Sequence, residues 1–174
     1  HIAHAYLFSG SRGTGKTSAA RILSMAINCR NPKDGDPCLQ CEACRSLLSD
    51  TTLDVVEMDA ASNSGVGETR DMLERVSYPP QFVRYKVYII DEVHMLSNAA
   101  FNALLKTLEE PPSYMVFILA TTELQKIPAT ILSRCQRFEF GRIPEADMIG
   151  RLRLAIKESG SAQEEALELI ASSA

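Results

Sequence analysis

Gly10-Ser11-Arg12-Gly13-Thr14-Gly15-Lys16-Thr17 is the stretch that decides how this chain is read. It fits the pattern G-x-x-x-x-G-K-[ST], and its flanks give the pattern a context. Before it, Ala5-Tyr6-Leu7-Phe8-Ser9 is a short apolar run ending at glycine, the mark of a buried strand feeding a turn. After it, Ala19, Ala20, Ile22, Leu23, Ala26 and Ile27 recur at helical spacing over residues 15–28. In a strand–loop–helix unit of this kind, backbone amides point inward and the helix adds the positive end of its dipole, so the loop cradles phosphate. Gly10, Gly13 and Gly15 let the backbone wrap closely, and Ser11, Arg12, Thr14 and Ser18 complete the lining. Lys16 is expected to reach the β- and γ-phosphates, and the Thr17 hydroxyl to sit on Mg²⁺. The plain alternative is a glycine-rich turn that happens to contain lysine, and the complete motif in this context weighs against it.

A partner motif lies further on. Lys86-Val87-Tyr88-Ile89-Ile90 is too continuously apolar for a surface strand and ends in Asp91-Glu92. A carboxylate at the end of a buried strand beside a phosphate loop can hold Mg²⁺, which is the role expected of Asp91. Glu92 can then polarise an attacking water. Alone, two acids after an apolar run are often just a strand meeting solvent; beside a complete phosphate loop they form a site.

The remaining pattern supplies the scaffold. Strands are expected at Leu53 to Met58, Met115 to Leu119 and Arg137 to Phe140. Helices are expected over 41–49, over 66–76 until Pro79-Pro80, from Ser97 to Glu110 until Pro111-Pro112, and over 127–133, opened by Pro128. After Pro144 the pattern is helical to the end, broken by Ser159-Gly160-Ser161. Strands alternating with helices imply an α/β fold with a parallel sheet covered on both sides. The expected division is a nucleotide-binding domain over 1–143 and a separate helical domain starting at 144 and running to 174. The chain opens without Met and closes in a helical pattern, so it is expected to be a piece of something longer.

Cys29, Cys38, Cys41 and Cys44 are four of the five cysteines and give C-x8-C-x2-C-x2-C, a module spanning about residues 29–49. Four thiolates make a closed tetrahedral zinc site with no open position, so its role would be structural. A redox C-x-x-C pair or an iron–sulfur cluster are the other chemistries this spacing allows. Cys135 stands apart and reads as a buried free thiol.

Bulk properties set limits. The chain has 174 residues, 45% of them apolar, enough for one substantial core. No apolar run approaches the roughly 18–20 residues a membrane span needs, and no basic segment followed by an apolar one opens the chain. A cytoplasmic location is the default expectation. The net charge of −4 argues against a surface coated with phosphate contacts but leaves room for a small positive patch.

Taken together, the phosphate loop, the cysteine insertion directly after its helix, Val87 to Leu96 (VYIIDEVHML), Asn102 to Pro112 (NALLKTLEEPP) and Leu132 to Cys135 (LSRC) carry a resemblance. The sequence resembles the bacterial clamp-loader branch of the AAA+ ATPases, and in particular the gamma/tau group of DNA polymerase III subunits, over essentially the whole chain. The resemblance implies a five-stranded parallel sheet, a zinc insertion and the start of a helical lid. It implies an ATPase motor that uses ATP, with Mg²⁺ and Zn²⁺, to load a sliding clamp onto primed DNA during replication. Thr122, in Ala120-Thr121-Thr122-Glu123, then looks like a polar sensor of the γ-phosphate. Arg134 looks like an arginine finger directed at the ATP of a neighbouring subunit; physics alone would read it as a surface ion-pair residue. Arg70, Lys106 and Thr130 match positions that line the DNA-facing surface of similar subunits. Ser62-Asn63-Ser64-Gly65 lies on that same face without charge, and any contact there would be to phosphate and independent of sequence.

The partners implied are the delta and delta-prime subunits, further gamma/tau copies, the clamp and primer–template DNA. Similar proteins also have a segment before His1 that encloses adenine and an arginine sensor beyond Ala174, so these 174 residues alone are expected to hydrolyse ATP slowly. A non-hydrolysing delta-prime-like scaffold would be expected to lack the intact loop. Another AAA+ ring ATPase would be expected to lack the four-cysteine insertion.

Overall fold

The computed structural model describes residues 2–49, 52–62 and 78–159, the last five as backbone only. The helix expected over 66–76, Asn63 to Gly65, Arg70 and everything after Ser159 lie outside the described residues. Five strands are described: β1 (Ala5–Gly10), β2 (Val55–Asp59), β3 (Lys86–Asp91), β4 (Met115–Thr121) and β5 (Gln136–Phe140). The helices are α1 (Lys16–Asn28), α2 (Glu42–Leu48), α3 (Asn98–Glu109), α4 (Ala129–Leu132) and α5 (Glu145–Ser159). Short 3-10 turns occupy Val93–Met95 and Leu124–Lys126. No helix among the described residues is long and apolar enough to cross a membrane.

The sheet runs in the order β2-β3-β4-β1-β5 and every pairing is parallel. Parallel strands need helices on both faces, and the sequence supplies apolar residues at successive positions for them. Along β1, β3 and β4, one set of side chains (Leu7, Tyr88, Ile90, Phe117, Leu119) packs with Phe101, Leu104 and Leu108 of α3. The alternate set (Tyr6, Phe8, Val87, Ile89, Val116, Ile118) packs with Ala20, Leu23 and Ile27 of α1. Burying each large side chain contributes roughly 1.5–3 kcal/mol, so the central strands are firmly held. Helix α3 begins where Ser97 accepts a hydrogen bond from the Ala100 amide at 3.2 Å, a cap contributing about 1 kcal/mol. It ends before Pro111-Pro112, as proline demands.

Differences from the expected bounds have local causes. The second strand begins at Val55 rather than Leu53, and Leu53 is 85% exposed. The reason is Asp54, a buried carboxylate that accepts hydrogen bonds from the amides of Gln81, Phe82 and Val83 and so fixes the chain just before the strand. The fourth strand continues past Leu119 to Thr121, because it pairs with β1 up to Ser9. Pro128 caps α4 from outside its first turn. The chain divides into two compact units, His1–Phe140 and Gly141–Ala174, with α5 in the second.

Gly10 closes β1 with φ +152°, and a Cβ there would sit 2.4 Å from the carbonyl oxygen of Phe140. That oxygen belongs to the neighbouring strand, so a side chain would push β5 off β1. Gly10→Ala is expected to cost about 2 kcal/mol. A lowered midpoint in urea unfolding followed by circular dichroism is the expected result; an unchanged midpoint would refute it.

Candidate functional site

In an open parallel sheet, ligands bind at the carboxyl ends of the strands, where successive connections diverge to opposite sides. Here β1 ends at Gly10, its neighbour β4 at Thr121, and β3, one strand further, at Asp91. Parallel register brings these ends to one edge: Ser9 pairs with Thr121 and Ile90 with Leu119. The two sequence motifs therefore meet because the strands carrying them flank a common neighbour.

The loop itself is held by its own side chains. Gly15 adopts φ +89°, the left-handed conformation that turns the backbone into α1. The first turn of α1 holds no acidic residue, so its positive end is left for an anion. Lys16 is 5% exposed, and its ammonium group donates to the carbonyls of Gly10 at 2.9 Å and Ser11 at 2.7 Å. Those bonds fold the loop around the charge and compensate its burial. The Thr14 hydroxyl donates to the Ser11 carbonyl at 2.9 Å and tightens the same turn.

Across the cleft, the Thr17 hydroxyl donates to Asp91 Oδ2 at 2.5 Å. The other carboxylate oxygen of Asp91 accepts from the Glu92 amide at 2.9 Å. Glu92 itself is left-handed, at φ 47° and ψ 44°, a conformation costing on the order of 1–3 kcal/mol for a residue with a side chain. Its side chain shows what holds it there. Oε2 accepts from the Thr122 hydroxyl at 2.9 Å and from the Thr122 amide at 3.2 Å, and lies 3.3 Å from His94 Nδ1. The expected sensor thus bonds the expected base directly.

An open cleft of about 560 Å³ runs over the loop. Arg12, Gly13, Gly15, Lys16, Thr17, Ser18, Asp91 and Glu92 line it, together with Asp59 and Ala61. Sequence reasoning passed over Asp59 and His94. Asp59 ends β2 in register with Asp91, so the rule that selected Asp91 could have found it. His94 had no such signal, because only the 3-10 turn after β3 directs it back to the strand ends.

Arg134 lies just beyond α4. Its guanidinium donates to the Thr130 carbonyl at 2.7 Å and to Glu109 at 2.8 Å, at the end of α3. Within the single chain it is therefore an ion-pair residue, a third exposed. Lys106 and Thr130 are exposed on α3 and α4.

The four cysteines join the end of α1 to the start of α2: Cys29 caps the first and Cys41 opens the second. Their sulfur atoms all lie within 4.8 Å of one another. A tetrahedral zinc–thiolate site, with bonds of about 2.3 Å, requires sulfur separations of roughly 3.8 Å, so modest contraction completes it. Amides point at the sulfurs: Cys38 N donates to Cys29 Sγ at 3.2 Å, Cys41 N to Cys38 Sγ at 3.3 Å and Cys44 N to Cys41 Sγ at 3.5 Å. Backbone bonds from Arg30 and Cys44 hold the Cys41 thiol down to about 6, and those from Gln40 and Cys41 lower Cys38. Burial pushes Cys44 up to about 12, so a cation at the centre is what would draw off its proton.

Comparison with known proteins settles the family. A profile described as DNA polymerase III, delta subunit, matches residues 1–144. The chain belongs to the DNA polymerase III delta-subunit family. Within this family its sequence is similar to gamma/tau subunits: it is 57% identical over 174 residues to DNA polymerase III subunit tau of Bacillus subtilis. It is 49% identical over 174 residues to the tau subunit of Escherichia coli and 49% over 171 residues to the gamma subunit of a Buchnera aphidicola subspecies. These matches take in 99%, 99% and 98% of this chain, which spans only 31%, 27% and 47% of those relatives.

Among solved structures, a DNA polymerase III gamma subunit-related protein from Thermotoga maritima superposes with a TM-score of 0.64 at 24% identity, covering 86% of this chain and 45% of that one. The Thermotoga maritima RuvB Holliday junction branch migration motor superposes with 0.62 at 20% identity, covering 98% and 48%. At these identities the likeness is one of fold, the P-loop AAA+ fold.

Cys135 lies outside the cluster, and burial pushes its thiol up to about 11. At pH 8 roughly one molecule in a thousand would then carry the reactive thiolate. Cys135 is expected to resist iodoacetamide at pH 8 in the folded chain and to react after denaturation, as read by peptide mass spectrometry. Rapid labelling in the native state would contradict its burial.

Proposed function

We propose that this chain is the nucleotide-hydrolysing core of a gamma/tau-type clamp-loader subunit, which uses ATP binding and hydrolysis to load a sliding clamp onto primed DNA. The observation that carries the proposal is the joining of a complete phosphate loop to two strand-end acids, through the Thr17–Asp91 bond and the Thr122–Glu92 bond. Lys16 and the amides of Gly13, Gly15 and Ser18 bind the phosphates of ATP. Thr17 and Asp91 would hold Mg²⁺, which when bound offsets charge on the phosphates. Glu92 is the general base: Oε2 is anchored by Thr122 and its second oxygen remains to accept from an attacking water. Thr122 orients that carboxylate and senses the γ-phosphate.

Arg134 serves the ATP of the next subunit. Its bond to Glu109 holds the guanidinium at the end of α3, and exchange of that carboxylate for a neighbour's γ-phosphate would supply the missing positive charge in the transition state. Cys29, Cys38, Cys41 and Cys44 bind one structural Zn²⁺ that staples α1 to α2. The unit beginning at Gly141 is the start of the helical lid. Delta and delta-prime subunits, further gamma/tau copies, the clamp and the backbone of primer–template DNA are the partners, in the cytoplasm. Lys106 and Thr130 are the phosphate contacts supported by exposure; Arg70 remains a sequence-based candidate.

The test is steady-state ATP hydrolysis by the full-length parent assembled with its partner subunits, with and without clamp and primer–template DNA. The rate is expected to rise with clamp and DNA. Lys16→Ala and Arg134→Ala should each reduce the stimulated rate by on the order of 100-fold or more. Hydrolysis indifferent to clamp and DNA would leave a P-loop motor of another kind. The 174 residues alone are expected to hydrolyse slowly, and robust turnover would contradict the need for a neighbouring arginine.

The metal is tested separately. Elemental analysis of protein purified without added metal should find one zinc per chain, and Cys38→Ser should lower both zinc content and thermal stability. Iron, or titratable free thiols at all four positions, would overturn the zinc assignment.

A further inference from the structure

The site holds a buried histidine that none of these roles uses. His94 follows the paired acids and sits in the 3-10 turn Val93–Met95, whose neighbours Val93 and Leu96 are buried in the core. With those two anchored, the imidazole is directed back over the ends of β3 and β4, and its side chain is only 6% exposed. A buried imidazole needs polar partners at both nitrogens, and it has them; with a carboxylate on each side, it donates to both only as the doubly protonated ring. Nδ1 lies 3.0 Å from Thr121 Oγ1 and 3.3 Å from Glu92 Oε2. Nε2 lies 3.3 Å from Glu123 Oε1.

Glu123 is fixed in turn. Its carboxylate accepts from Lys126 at 2.7 Å, and its amide donates to Thr121 Oγ1 at 3.0 Å. A continuous polar chain therefore runs from Glu92 through His94 and Glu123 to Lys126, whose side chain is half exposed. It links the end of β3 to the end of β4 by a route separate from the Thr122 bond. Attraction to Lys126 and His94 helps to keep Glu123 ionised and thus a constant acceptor for the ring.

We propose that His94 is a positioning residue for the hydrolytic step: it holds Glu92 by the oxygen that Thr122 also grips, leaving the other oxygen to face water. The inference rests on Glu92 acting as the base. Three contacts converge on Oε2 while Oε1 has no hydrogen-bond partner among the described residues. Asymmetry of that kind sets the carboxylate's rotation, and so decides whether its free oxygen meets the water or turns away. Glu92 is also held in a left-handed backbone conformation that surrounding contacts must maintain. The hydrogen-bond and ion-pair partners of His94 among the described residues are Thr121, Glu92 and Glu123, not the loop or Asp91, so its loss should alter the chemical step and leave nucleotide binding in place.

The experiment uses the full-length parent in the assembled loader with clamp and primed DNA, measuring kcat and KM for ATP, affinity for a non-hydrolysable ATP analogue, and thermal stability. His94→Ala is expected to lower kcat about 10- to 100-fold, the range seen when an outer partner of a functional group is removed. KM and analogue affinity should stay within about threefold. His94→Asn places a donor near the position of Nδ1 and is expected to recover most of the lost rate. Glu123→Gln weakens the ring's outer anchor and should give a smaller loss, again in kcat.

Unchanged kcat in His94→Ala would overturn the inference. So would equal losses in His94→Ala and His94→Asn that follow lowered thermal stability, since that is the signature of packing alone. These results are distinct from failure of the functional reading, which would appear as a wild-type loader whose hydrolysis ignores clamp and DNA.

Discussion

The Thr17 hydroxyl and the Asp91 carboxylate are 74 residues apart in sequence and 2.5 Å apart in space. That bond crosses from the first turn of α1 to the end of a strand separated from β1 by β4. It follows from the sheet order: β4 lies between the two motif-bearing strands, and their ends flank one cleft. It also requires the loop to be wound tightly enough to bring Thr17 over the strand ends. Lys16 winds it, by drawing the Gly10 and Ser11 carbonyls onto one ammonium group. The buried faces of the sheet serve the same end: they hold three strand termini rigid, and groups set at rigid termini need not be reorganised when charge develops between them.

Much of this was written in local sequence. The loop pattern, the apolar run ending in two acids and the cysteine spacing each need only a short window to be recognised, and strands and helices alternate in a way that leaves few topologies. Pairing between motifs is different, because it depends on strand order. Nothing near Glu92 says that Thr122 will be its partner; that follows from β3 and β4 being neighbours. His94 is further from reach, since its role comes from a turn whose direction is set by Val93 and Leu96 packing into the core. The start of β2 escapes the local pattern for a similar reason. Leu53 is apolar, yet Asp54 binds the amides of residues 81–83 and holds the chain out of the sheet until Val55.

Arg134 illustrates the limit of reading one chain by itself. Its partners here are Glu109 and a carbonyl of its own α4 turn, which hold the guanidinium as a surface ion pair. An exposed pair of this sort contributes little to stability, commonly under about 1 kcal/mol. Little would therefore be lost if the guanidinium exchanged Glu109 for a phosphate on another subunit, as the proposed role requires. The weakness of the pair is what makes a transferable arginine feasible. The cysteine cluster stands at the opposite extreme: four thiols gather within 4.8 Å of one another at the junction of α1 and α2, inside the single chain.

The central claim is that Thr17 and Asp91 form one metal-holding unit rather than two separate contributors. A double-mutant cycle tests it most directly: the affinity of Mn²⁺, standing in for Mg²⁺, measured by electron paramagnetic resonance with a non-hydrolysable ATP analogue bound, for the parent, Thr17→Ala, Asp91→Asn and the double variant. The account predicts coupling of at least about 1 kcal/mol, the double variant losing scarcely more than the worse single one. Losses that simply add, to within about 0.5 kcal/mol, would contradict it and separate the two residues into independent roles.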